Sequence, residues 1–292
     1  MTSPPRPTLS HDHPPRRLRV VSWVVAAVLV ASLGVAGWVW GRPLYRSLFG
    51  EQCQATALGE SVTFDPEQMN HASTIVLIAL KRDLPARAGT IAVATAIQES
   101  KLRNITYGDR DSVGLFQQRP SQGWGSVEEL TDPVYATNAF YDALVKVDGW
   151  QDMRITEIAQ EVQRSAYPEA YADHEHEGRA IASSLAGHSP AGFGCRLEEA
   201  SESGDPAKIS AALKEQTGMS ATGDGEGVLA VTATSEQFAW AAGSWAVGQA
   251  SARQITAVQV GSKQWVRGDQ SYEWTDAADP IPAQQVRITY QQ

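Results

Sequence analysis

Residues 20–40, VVSWVVAAVLVASLGVAGWVW, form an apolar run of 21 residues without a charge. As a helix this run would rise about 31 Å and match a bilayer core of about 30 Å. Trp23 lies near one end and Trp38 and Trp40 near the other, where headgroup boundaries favour indole rings. The pattern predicts a transmembrane helix. A cleaved signal peptide would have a shorter apolar stretch and a small-residue ending, whereas this run continues into WVWGRPLYR. The mixed pattern over 41–62 reads as a stalk. From Asp65 the periodicity turns helical, with Asp65 as cap, Pro66 at the first position and ASTIVLIALKRDL as the buried stripe. A second helix, rich in alanine, is predicted over 86–102, and three more over 133–147, 155–164 and 169–186.

Residues 188–204 shift toward Gly, Ser and Glu and read as a linker. Beyond them DPAKISAALKEQ predicts a helix, GVLAVTAT a strand and EQFAWAAGSWAVGQAS a helix; ITAVQVG, KQWVRG, YEWTD and QVRITY read as strands. The expected organisation is a basic tail (1–19), a transmembrane helix (20–40), a stalk (41–62), a mainly α domain (63–187), a linker (188–204) and a small α+β accessory domain (205–292).

Composition adds a compartment. With 42% hydrophobic and 20% charged residues the chain is ordinary globular protein, which excludes wholesale disorder and fibres. Four arginines against one aspartate precede the apolar run and Arg42 and Arg46 follow it, so the larger positive charge predicts a cytoplasmic N-terminus and an extracytoplasmic body. Residues 51–292 then carry −14 of a chain total of −9, which argues against nucleic acid as a partner. Cys53 and Cys195 bracket the helical region, and in an oxidising space a disulfide joining its ends is expected. Chain entropy would give so long a loop about 5 kcal/mol at most.

The chemistry centres on Glu99, in ATAIQESKLRN. Offsets of −7, −3 and +3 put Ala92, Ala96 and Leu102 on the same helical face as this carboxyl. Desolvation on such a face favours the protonated form, the state a general acid needs. Glu99-Ser100 is followed by Gly114-Leu115-Phe116-Gln117, a spacing that resembles the soluble-type lytic transglycosylases, whose Glu-Ser precedes Gly-Leu-Met-Gln. TDPVYATNAF resembles that family's Asp-Pro helix start through Asp132, Pro133 and Asn138, with one extra residue before the asparagine. Ala166-Tyr167-Pro168-Glu169-Ala170 matches only part of its Ala-Tyr-Asn-Ala-Gly motif. The resemblance covers residues 63–187.

The resemblance implies a mainly α, lysozyme-like (α+β) domain and a peptidoglycan-cleaving enzyme acting on the β-1,4 bond between N-acetylmuramic acid and N-acetylglucosamine. Glu99 would protonate the glycosidic oxygen and then, as carboxylate, activate the muramyl 6-hydroxyl. Ser100 and Gln117 would orient the acid or the acetamido group, the Gly114 backbone would admit a sugar ring, and Tyr167 would tune Glu99. Asp109 and Asp111 offer a second carboxylate for an inverting muramidase, with local charge balance around Arg110 as the plainer reading. Trp124, Trp150, Tyr107 and Tyr135 are sugar-stacking candidates as well as ordinary packing residues.

No cofactor is expected. His174 and His176, two apart, point away from each other on a helix, so no metal site is expected there. Trp240, Trp245, Trp265 and Trp274 read as core. The partners expected are peptidoglycan strands, the cytoplasmic membrane through residues 20–40, and an envelope protein docking on residues 205–292. A non-catalytic glycan-binding or scaffolding protein of a cell-envelope secretion or conjugation complex is the rival from another class.

Overall fold

The computed structural model describes residues 50–163, 168–223, 226–268 and 272–292. At its start lies a hairpin of β1 (Gln52–Ala57) and β2 (Glu60–Phe64). Ala57 pairs with Glu60, leaving Leu58 (φ 57°) and Gly59 (φ 83°) as a two-residue turn. Positive φ at both positions matches the twist of the flanking strands. A third strand, β3 (Phe193–Arg196), pairs antiparallel with β1 and sets Cys53 opposite Cys195. These two cysteines form a disulfide with their Cα atoms 3.9 Å apart.

Among the described residues, six α-helices follow the hairpin before β3. Asp65 and Gln68 form a capping box at the start of α1 (Pro66–Lys81), whose buried face includes Met69, Ile75 and Ile78. Next comes α2 (Ala86–Ser100), then the short α3 (Val127–Leu130), α4 (Pro133–Leu144) capped by Asp132, and α5 (Ile155–Gln163). A 3-10 turn, Pro168–His174, leads into α6 (Glu175–Leu185). Small residues let α6 lie close on α2: a side chain at Gly178 would reach 2.7 Å from the Thr90 carbonyl.

The rest of the chain supplies α7 (Pro206–Thr217), β4 (Ala221–Gly223), β5 (Val228–Thr232), α8 (Glu236–Gly248) and α9 (Ala250–Arg253). Four strands complete it: β6 (Ile255–Val260), β7 (Lys263–Val266), β8 (Thr275–Asp276) and β9 (Gln285–Tyr290). With β4 and β5 they form a six-stranded antiparallel sheet in the order β4-β5-β9-β6-β7-β8. Apolar α8 packs on β6 and β9 and also against α1, α6 and β3. Trp265 Nε1 donates to the Cys195 carbonyl (2.9 Å) and Trp274 Nε1 to that of Phe193 (2.7 Å). Gln216 Oε1 accepts from both Trp245 Nε1 (2.7 Å) and Thr74 Oγ1 (3.1 Å).

These observations correct the expected architecture. Among the described residues the fold is mixed helix and sheet with two sheets, not a mainly α lysozyme-like domain followed by a separate small α+β domain. No helix among the described residues is long and apolar enough to cross a membrane, and the run 20–40 lies outside them. From Gln52 onward the expected stalk is a hairpin, and the expected linker contains β3. Residues 51–292 make one compact unit whose core runs from Cys53 through α2 to Ile288. The physical reason is that β1 and β3 are short, at six and four residues. Their strand character comes from pairing across the chain, which no local periodicity reports.

Candidate active site

Helix α2 carries Glu99 to its last turn. Ala92, Ala96 and Leu102 on the same face are fully buried, and Glu99 is half-buried beside them. The helix ends abruptly because Lys101 (φ 56°) and Leu102 (φ 57°) both turn left-handed. The Lys101 amide donates to the Ile97 carbonyl (2.9 Å) and the Leu102 amide to that of Ala96 (3.0 Å), while Gln68 Nε2 from α1 donates to the Lys101 carbonyl (2.7 Å). These bonds hold a strained turn against the acid.

Ser100 Oγ donates to the Leu115 carbonyl (2.7 Å) and the Ala96 carbonyl (3.1 Å), pinning the Gly114–Gln117 turn to the helix end. Gly114 (φ 77°) sits where any side chain would strike the Leu130 carbonyl. Its close approach is to protein backbone, not to a sugar. Gln117 is itself left-handed (φ 48°), and its Nε2 folds back to the carbonyls of Gly114 (3.2 Å) and Tyr107 (3.4 Å). Phe116 stacks on Phe140 of α4 with centroids 4.7 Å apart. Asp132 accepts from the Val134 amide (2.8 Å), and Asn138 receives Arg82, so both build α4 and its packing. The Ser100 bond thus fastens the turn to the end of α2, and Ser100, Gly114 and Gln117 are occupied in building it.

The partner of the acid is Tyr171, whose hydroxyl donates to Glu99 Oε1 at 2.5 Å from a fully buried ring. Tyr167, expected in this role, lies outside the described residues. The Ala-Tyr pair occurs twice, at 166–167 and 170–171, and the second occurrence is the signal that sequence reasoning missed. Gln163, at the end of α5, was also missed. Its Nε2 donates to the Phe116 carbonyl (2.6 Å), and its amide lies near enough to the Glu99 carboxyl to favour the charged form. It falls four residues after buried Ala159, where the helical period calls for an apolar residue. Burial pushes the Glu99 carboxyl above the ordinary glutamate range, and the Tyr171 hydrogen bond and the nearby Gln163 amide partly oppose that shift.

The aspartates of the adjacent loop stand differently. Asp111 accepts from the Ser121 amide (2.7 Å), Arg119 Nε (2.9 Å) and Ser121 Oγ (2.9 Å), which hold its carboxyl far below the usual range. Asp109 is exposed beside Arg110 (3.9 Å). Trp150 is core, the Tyr135 hydroxyl donates to the Trp124 carbonyl (3.3 Å), and Tyr107 is 73% exposed. Trp124 lines a cleft of about 390 Å³ with Gln122, Lys146, Glu161 and Gln163. Gln163 therefore belongs both to this cleft and to the surroundings of Glu99. Among the described residues no group of three or more His, Cys, Asp or Glu side chains is arranged to hold a metal; His174 Nδ1 pairs with Glu177 (2.6 Å). No known protein-family model matches the chain, and no curated protein matches it.

Proposed function

We propose that this chain cleaves peptidoglycan at the β-1,4 bond between N-acetylmuramic acid and N-acetylglucosamine, with Glu99 as its single general acid and base. The observation that carries this reading is a half-buried carboxyl, raised in pKa by desolvation and held by the Tyr171 hydroxyl, with Gln163 next to it lining a cleft. Such a group keeps a proton at a pH where a free glutamate has lost it, and transfer of that proton contributes about 10²–10⁴ in rate.

In the proposed reaction the Glu99 carboxyl gives its proton to the glycosidic oxygen as the bond from that oxygen to the muramyl anomeric carbon breaks. The substrate's N-acetyl oxygen shields the carbon. Glu99, now a carboxylate, takes the proton of the muramyl 6-hydroxyl, whose oxygen closes on the anomeric carbon. The products are a 1,6-anhydro end and a free 4-hydroxyl, and Glu99 is again protonated. An inverting hydrolase would need a second, free carboxylate about 6.5–9.5 Å from the acid. Asp111 is engaged on both oxygens by Arg119 and Ser121, which favours the single-acid route. The disulfide favours an extracytoplasmic site of action.

Digestion of purified sacculi by the full-length protein and by its Glu99→Gln variant tests the proposal. Soluble muropeptides with anhydro mass from the wild type alone are the expected result. Equal, negligible release by both proteins would overturn it, and water-added ends would replace the transglycosylase reaction with hydrolysis.

A further inference from the structure

Six tryptophans lie among the described residues, and five of them are buried. Trp245, Trp265 and Trp274 also spend their indole N–H on Gln216, Cys195 and Phe193. Trp124 differs: it is half-buried, and its Nε1–H has no acceptor among the described residues. Gly123 (φ 80°) and Gly125 (φ 146°) flank it, in backbone that favours glycine. The Tyr135 hydroxyl of α4 donates to the Trp124 carbonyl (3.3 Å), and a side chain at Gly125 would come within 2.8 Å of that hydroxyl. The indole is thus carried on a short turn fixed from α4, and it lines the cleft of about 390 Å³. Small-molecule sites begin at about 300 Å³.

Beside Trp124 the cleft has apolar Val147 and Val162, and Lys146 and Glu161 bring one charge of each sign. Neither ion has a salt-bridge partner among the described residues. The two charges cancel, so the cleft has no net charge with which to collect an anion or a cation. It offers an aromatic surface with polar groups around it. That is the complement of a neutral pyranose ring, which carries C–H bonds on its faces and hydroxyls on its rim. We propose that Trp124 is the platform of a sugar-binding subsite, its indole stacking on one ring of a neutral β-1,4-linked N-acetylated glycan. Gln163 lines the same cleft and donates to the Phe116 carbonyl, in the turn that Ser100 fastens to the end of α2, so the subsite adjoins the helix end that bears Glu99. A ring seated on Trp124 holds the chain next to the acid. The identity of the ligand rests on the glycan-cleaving reading, while the test reads binding.

The experiment uses full-length protein carrying Glu99→Gln, so that bound glycan is not consumed, and labelled with 5-fluorotryptophan. The Trp124 fluorine resonance, assigned by its loss in Trp124→Phe, is followed while a β-1,4-linked hexamer of N-acetylglucosamine is added, and calorimetry gives the affinity. The expected result is a resonance that shifts and saturates along the calorimetric curve. Trp124→Ala should weaken binding about tenfold, and Trp124→Phe, which keeps an aromatic face, should recover part of that loss. Binding that leaves the Trp124 resonance unmoved, unchanged affinity in Trp124→Ala, or no binding of the hexamer would overturn the inference. Because the fluorine signal is read with the tryptophan in place, a Trp124→Ala protein that fails to fold leaves the test intact. If sacculi are cut by the wild type while hexamer binding ignores Trp124, only this inference fails. If sacculi are not cut while the hexamer binds on Trp124, the catalytic reading fails and this one stands.

Discussion

Tyr171 donates its hydroxyl to Glu99 Oε1 at 2.5 Å across 72 residues of chain, from the 3-10 turn before α6 to the last turn of α2. The phenol is buried and the carboxyl half-buried, so little water competes for the bond. The bond stabilises the charged carboxylate against the desolvation that favours its neutral form. An acid that must give a proton and then take one back is served by both influences.

Replacing Glu99 by Gln is expected to lower glycan release about 10²–10⁴-fold while leaving the fold intact, because the amide keeps the shape of the carboxyl. Turnover of sacculi, together with the circular dichroism spectrum, checks this.

The same substitution has a pH signature in stability. The Glu99 pKa is raised in the folded state, so folding favours the protonated carboxyl. That contribution is complete below the unfolded glutamate pKa and is lost as pH rises through the folded value. The Glu99→Gln protein should therefore gain on the wild type in thermal midpoint as pH goes from 4 to 8. A constant difference over that range would contradict the raised pKa.

Tyr171→Phe removes a hydrogen bond that lowers the Glu99 pKa, so the pKa should move further up. Activity that needs the protonated acid declines as pH rises through this pKa, and the alkaline limb of the rate profile should shift to higher pH in the variant. An unmoved limb would mean that the phenol does not act on the acid.

Asp111→Asn distinguishes the two chemistries. If Asp111 only clasps Arg119 and Ser121, the variant keeps activity within the order of magnitude of the wild type. Loss of an inverting base would instead cost about 10²–10⁴. Initial rates on sacculi decide between them.

Reducing the Cys53–Cys195 disulfide, or replacing both cysteines by Ser, releases a loop whose ends are 142 residues apart. The expected loss is about 2–5 kcal/mol, read as a lower denaturation midpoint in the presence of reductant. Because α7 to β9 share a core with the helical half, one unfolding transition is expected in both redox states.

Much of this protein is written locally. The cap at Asp65 and Pro66, the alanine-lined face bearing Glu99, the amphipathic α5 and the alternating β5 and β9 follow from periods of 3.6 and 2 among near neighbours. That Glu99-Ser100 and Gly114–Gln117 share one site was only implied by the family resemblance; in the structure Ser100 bonds the Leu115 carbonyl of that turn. What each residue does there was not legible. Ser100 and Gln117 could equally hold a ligand or a backbone carbonyl; the choice depends on where Leu115 and Tyr107 come to lie. Tyr171 and Gln163 meet Glu99 only because α6 packs on α2 and α5 ends beside Phe116. The same holds for β1 with β3, and for the tryptophans of the second sheet that bond to β3. Periodicity records which face of a segment turns inward; which two inward faces meet is settled by mutual burial across the whole chain, and there the site is assembled.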